Sequence, residues 1–497
     1  MTYLTWQYYV LLILTIIIYY LLPLSVRWAA LLAGSICFYA LFMGRRAEAA
    51  VFVCTILISW FFGRILEKRR RRKTPDQIPS WGEEIILAAA ILICIAPLLM
   101  IKICSFLRGY TAYTFSGLIV PIGISFYSLQ VTAYLADVHA GKVKALDNPL
   151  HYALFISFFP QIVQGPIPRL GQLSDQLIPG NRLKYDNMKI GFYQILEGAF
   201  LKYMIADKAA VYVNEVFSNY RIYTGAYVAV AAVLYSIQLY TDFLACVMIS
   251  KGSARMFGIM LPENFMQPYL AVSIKDFWRR WHISLSTFLR DYVYIPLGGG
   301  RKGKLRRYVN LMITFAVSGF WHGEGIHFIL WGLLNGLYQI AGDLTSGIRE
   351  KIYSLLGIPQ NSPAWKLYKR INTFILVTLA WMLFRCGQVS QLLIMLRNMF
   401  TVYNPWILFN GTIEKTAGMN LKQWNILAMS IAAMTAVHIW REKLRTGGPG
   451  TQSPEEILCA QHVTLRFLIC LMLILFVILF GTYGFGFSAS SFIYGGF

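Results

Sequence analysis

Charge is scarce in this sequence. Asp, Glu, Lys and Arg make up 14% of the 497 residues, while 57% are hydrophobic; soluble domains carry about 25% charge. That balance excludes an ordinary soluble core wrapped in polar surface. Acid is scarcer still: 23 Asp and Glu stand against 45 Lys and Arg, a formal charge of +22. No base-stacking or groove-reading motif accompanies the surplus, so no nucleic acid is expected. Lys and Arg gather in cytoplasmic loops and against anionic lipid headgroups, which accounts for the excess more simply. Cys37, Cys54, Cys94, Cys104, Cys246, Cys386, Cys459 and Cys470 never fall into CxxC spacing and read as small buried hydrophobes. No HExxH occurs, and His322 and His327 are five positions apart rather than four, so no metal site is expected. The first residues lack a basic stretch and a small-residue cleavage site, so a retained first span is expected there and not a signal peptide.

What is abundant is apolar run. A helix needs ~20 residues to cross a bilayer, and such runs recur at 6–22, 28–42, 51–65, 85–106, 226–249, 371–383, 424–439 and 465–480, with a further span beginning near Phe115. The fold class expected is an all-α polytopic membrane protein with roughly 11–13 transmembrane or re-entrant helices. The basic run from Lys68 to Lys73 reads as a cytoplasmic loop. Pro121 and Gly123 are expected to loosen a helix near its start. The segment FISFFPQIVQGPIPR, with Pro160, Pro166 and Pro168, is too broken for a lipid-facing helix and reads as re-entrant or cavity-lining. No internal repeat is evident, which disfavours transporter folds built on inverted repeats.

Polar chemistry concentrates between Lys275 and Gly336. His322 follows Trp321 in SGFWHGEG at the end of an apolar run. A buried neutral imidazole there can take a proton from a hydroxyl, and a structural, hydrogen-bonded histidine is the competing reading. His282, in FWRRWHISL, lies forty positions upstream and can join His322 only through the fold; its alternative is interfacial anchoring by the neighbouring Trp278, Arg279, Arg280 and Trp281. GGGRKGK, from Gly298 to Lys304, follows a phosphate-binding loop up to its last position, where Leu305 replaces the Ser or Thr. Asp242, inside an apolar run, is either functional or paired with a nearby Arg.

Taken together, PIGISFYSLQ, FPQIVQGPIPR, ARMFGIMLPENF, DFWRRWHISLSTFLRDYVYIPLGGGRKG, SGFWHG and the terminal FIYGGF resemble the membrane-bound O-acyltransferases, in the bacterial branch serving alginate O-acetylation and teichoic acid D-alanylation. The resemblance implies a single integral membrane domain, a bowl of helices around a central funnel. Residues 1–110 would be peripheral spans, 111–345 the catalytic core and 346–497 C-terminal spans. His322 and His282 match the family's two histidines and would be catalytic. Trp321, Gln130, Asp242 and Gln164 would support the substrate tunnel, and Arg301, Lys302 and Lys304 would meet the acyl donor. That donor would be a cytoplasmic thioester, acyl-CoA or the phosphopantetheine of an acyl carrier protein, with no permanently bound cofactor. An extracytoplasmic polysaccharide would be the acceptor, helped by a periplasmic or surface acyltransferase partner, at the bacterial cytoplasmic membrane and in contact with lipid. Met248 stands where the branch usually has a second acid after Asp242. A non-enzymatic exporter of polysaccharide or lipid, and D-alanyl transfer within the same family, are the alternatives.

Overall fold

In hydrocarbon, backbone groups must find partners within the protein, and helices do this locally. The computed structural model describes residues 3–71, 81–108, 119–416, 418–446 and 453–483. The regular structure of these residues is helical throughout. Six of the described helices are long and apolar enough to cross a membrane: Leu24–Phe42, Arg46–Arg70, Trp81–Phe106, Ala226–Met256, Pro363–Arg385 and Val463–Phe480. Trp6–Leu21 is apolar but shorter. Other long helices, among them Lys304–His322 and Leu421–Thr446, carry charges at their ends or along one face. Others still are cut into short pieces, so the strict count falls below one that includes re-entrant segments. The protein is a multi-pass helical membrane protein.

The chain forms two units, one of residues up to Ile195 with Cys246–Pro262, the other of Leu196–Ala245 and the described residues from Glu263 onward. In the first unit, Arg46–Arg70 has Glu48 in its first turn and Lys68, Arg69 and Arg70 in its last, the arrangement that complements the helix dipole. Arg71 closes this end on Glu67 at 2.9 Å. The rest of the predicted basic loop lies outside the described residues, as do the start near Phe115 and the terminal FIYGGF. Pro121 and Gly123 do not loosen a helix; they precede one. Gly123, at φ 75°, caps Ile124–His139, and Pro121 accepts the Ile124 N–H at 3.2 Å.

The broken segment after helix Pro149–Ser157 is buried within this unit. Side chains satisfy its irregular backbone: Ser35 accepts the Phe159 N–H at 3.2 Å and the Tyr3 hydroxyl donates to the Pro160 carbonyl at 2.9 Å. Irregular backbone in a membrane protein is tolerated where protein surrounds it, as it does here.

In the second unit, Lys304–His322 and Ile326–Leu344 form a tight hairpin. Its closeness depends on glycine. A Cβ at Gly332 would strike the Phe315 carbonyl, and one at Gly319 the Phe328 carbonyl. Small residues let membrane helices approach to backbone contact, and this contact fixes the end of the helix on which His322 sits. Gly332→Ala is expected to force the pair apart at a cost of about 1–3 kcal/mol, read as a lowered thermal midpoint in detergent. An unchanged midpoint would show that the hairpin tolerates separation.

Candidate active site

His322 is the last residue of its helix, and Gly323 follows it in extended conformation. The turn to the next helix passes through Gly325 at φ 121°, in the region that favours glycine. Of the glycines in SGFWHGEG, Gly325 serves the turn and Gly319 the helix contact. His322 is 1% exposed. Its ring is enclosed by Trp321, Trp331 and Phe384, at centroid distances of 4.8, 5.1 and 5.7 Å. The Trp331 indole N–H is buried and has no protein acceptor among the described residues.

His282 joins two short helices, Ile274–Arg280 and Ile283–Leu289, at φ 44°. A non-glycine residue holds that conformation only when its surroundings impose it. Its ring lies 6.3 Å from that of His322, 6.1 Å from Trp321 and 4.8 Å from Phe243. It too is 1% exposed, and it lies outside the six spanning helices. Burial pushes its pKa down to about 3, because the charged imidazolium is the form that loses water. The ring is neutral at physiological pH.

Trp321 and the two histidines thus come together across forty positions of sequence. The neighbours of His282 are not a lipid-facing belt. Trp281 is fully buried, 5.4 Å from Phe277 and 5.0 Å from Trp381. Arg280 binds Asp276 at 3.0 Å and Glu442 at 2.9 Å, which ties the short helix before His282 to the end of Leu421–Thr446. Arg279 alone of the two arginines is exposed.

Asp242 is one residue from Phe243 but faces a cation. Lys202, on the π-helical turn Leu201–Ala206, lies 2.7 Å from Asp242 and 2.9 Å from Asp207, and all three are buried. The pairing role foreseen for Asp242 is filled by a lysine, not by an arginine. Gln130 and Gln164 belong to the other unit, where both are buried. Neither the Gln130 amide nitrogen nor either amide atom of Gln164 has a protein partner among the described residues. Arg301, Lys302 and Lys304 are exposed in a turn through Gly298, Gly299 and Gly303, all at positive φ. Arg307 and Tyr308, on the helix that follows, both engage Asp343.

Asn264, absent from the expected site, is fully buried and accepts the backbone N–H groups of Ile283 and Ser284, the two residues that follow His282. The signal lay in LPENF, a polar residue in a connector between apolar segments, but connectors of that kind are common.

Residues 144–384 match the membrane-bound O-acyltransferase family. Over 348 residues the chain is 31% identical to a probable alginate O-acetylase of Azotobacter vinelandii, covering 70% of this chain and 67% of that protein. The chain belongs to the membrane-bound O-acyltransferase family. It is 34% identical to a probable alginate O-acetylase of Pseudomonas syringae pv. tomato, over 70% of this chain and 66% of that one. It is 36% identical to the peptidoglycan O-acetyltransferase of Helicobacter pylori, over 57% of each. The chain spans between 57% and 67% of the length of these relatives. The matched family segment contains both histidines, Asp242 and the basic turn.

Removing a partner from a buried ion cluster is more damaging than neutralising one arm. Lys202→Met leaves two carboxylates facing each other and is expected to cost about 3–5 kcal/mol. Asp242→Asn, which keeps a hydrogen-bonding group beside Lys202, is expected to cost about 1–3 kcal/mol. Thermal midpoints of the two variants in one detergent check the order, and the reverse order would refute the assignment of Lys202 as the centre of the cluster.

Proposed function

We propose that the protein is a membrane O-acyltransferase that moves an acyl group, acetyl in the first instance, from a cytoplasmic thioester to a hydroxyl of an extracytoplasmic polysaccharide. The observation that carries this is a pair of buried imidazoles, 6.3 Å apart between ring centres, in a chain of this family. The donor is acyl-CoA or the phosphopantetheine of an acyl carrier protein. The setting is the bacterial cytoplasmic membrane, and a periplasmic or surface acyltransferase partner completes delivery to the polysaccharide.

The chemistry follows from two buried imidazoles in an aromatic enclosure. His322 accepts the proton of the incoming hydroxyl as its oxygen attacks the thioester carbonyl carbon. The tetrahedral oxyanion then collapses, the carbon–sulfur bond breaks, and the leaving thiolate takes the proton back from His322. His282 either stabilises the oxyanion or orients the thioester. Trp321, Trp331 and Phe384 keep water away from the thioester, so that the hydroxyl and not water is acylated. Lys202 holds Asp242 in place.

His322→Ala is expected to lower transfer of labelled acetyl from a thioester by about 100-fold or more, with membrane insertion unchanged. Wild-type transfer by a normally inserted His322→Ala would rule out the base. Movement of glycan with no thioester chemistry at all would make the protein an exporter instead. Label appearing as D-alanine on teichoic acid would move it to the other acyl group of the same family.

Arg301, Lys302 and Lys304 would meet the negative charge of the donor, whether carrier-protein acids or coenzyme A phosphates. Reversing all three to Glu is expected to raise the KM for the donor with little change in kcat, and the effect should shrink as salt rises. Initial rates at two ionic strengths test this, and an unmoved KM would leave the turn to lipid headgroups.

A further inference from the structure

We propose that Asn264 is a positioning residue of this centre: its side-chain oxygen holds His282 with the proton on Nδ1, so that His282 meets substrate through Nε2 as a hydrogen-bond acceptor. The proposal rests on the acyl-transfer reading above and removes the oxyanion role left there for His282.

Three groups converge on Asn264 Oδ1. The Ser284 backbone N–H donates at 3.1 Å and the Ser284 hydroxyl at 2.8 Å, and His282 Nδ1 lies at 3.3 Å. A backbone N–H can only donate, so the atom it reaches is the amide oxygen and not the amide nitrogen. The ring nitrogen that faces the same oxygen must therefore carry a hydrogen. A neutral imidazole has one N–H, which leaves Nε2 with a lone pair and nothing to donate. Asn264 also accepts the Ile283 N–H through its carbonyl at 3.0 Å. One buried side chain and its own backbone thus bind residues 282, 283 and 284 in succession, which is what holds His282 at φ 44°. An amide does this without bringing charge into the enclosure.

Of the rings around His282, those of Phe243 and Trp321 carry no charge and that of His322 is titratable. Asp242, next to Phe243 in the chain, is engaged by Lys202, and Arg280, two residues before His282, by Asp276 and Glu442. A neutral ring in this state has no proton for an oxyanion. His282 instead orients a substrate O–H or N–H, which complements a base at His322 and does not duplicate an oxyanion donor.

The test is made on the full-length protein in lipid, with histidine-selective nitrogen-15 labelling. The chain has seven histidines, and the His282 signals are those lost in His282→Gln. The expected spectrum has a protonated Nδ1 and a bare Nε2. Asn264→Ala is expected to lower kcat by about tenfold with KM moved less than about twofold, and to spread His282 over both tautomers. Asn264→Asp keeps the acceptor and is expected to preserve the Nδ1–H form and recover most of kcat. A wild-type spectrum with the proton on Nε2 would overturn the proposal, as would a folded Asn264→Ala that keeps both kcat and tautomer. Should the alanine variant fail to insert, the wild-type spectrum and Asn264→Asp decide. The spectrum needs no turnover, so absence of acyl transfer in the wild type would strike the function proposed above and not the tautomer.

Discussion

Hydrocarbon offers nothing to a peptide N–H or carbonyl, so wherever a helix of this chain breaks, the chain itself must supply the missing partners. The breaks show how. Ser35 and Tyr3 close the irregular run after Pro149–Ser157, and Asn264 closes the turn that carries His282. Each closing side chain is itself fully buried. The same breaks are where chemistry can be placed, because an uninterrupted helix in lipid has no backbone or turn to spare for a substrate. His322 at a helix end and His282 between two short helices both obey that rule.

Rigidity at the site comes from two different sources. Around His322 it is close packing: glycines bring Lys304–His322 against Ile326–Leu344, and the rings of Trp321, Trp331 and Phe384 fill the remaining space. Around His282 it is polar: Asn264 on one side, and Arg280 held by Asp276 and Glu442 on the other. Packing restrains position within a few tenths of an ångström, whereas hydrogen bonds also choose which nitrogen carries the proton. The two imidazoles therefore differ in kind of support as well as in place.

Buried charge follows a separate logic. Lys202, Asp207 and Asp242 share one enclosed cluster, and such a cluster survives because each charge has its counter-charge within hydrogen-bonding distance. Asp242 drew notice as an acid inside an apolar run. Its cation lies forty positions upstream on a π-helical turn, a distance no local pattern bridges.

Much was legible before any coordinates, and for local reasons. Hydropathy along the chain marked a polytopic helical protein, since membrane solvent acts on every residue of a span in the same way. The paucity of polar residues made His282, His322 and the basic turn stand out. Pro160, Pro166 and Pro168 marked the broken segment because proline lacks the N–H a helix needs. Pro121 and Gly123 were read as a weak point within a helix and proved to precede it, Gly123 as its cap, a difference of register that composition does not carry. Trp278 and Trp281 were open to being surface anchors, and only packing showed Trp281 inside an aromatic core. Sequence by itself determined the membrane class and which residue types could do chemistry, because these depend on each residue's own solvation. Tertiary structure alone decided that two imidazoles forty residues apart share one enclosure, that Lys202 answers Asp242, and that Asn264 grips the His282 turn. Those facts are distances between segments remote in the chain, and distance is set by how helices pack.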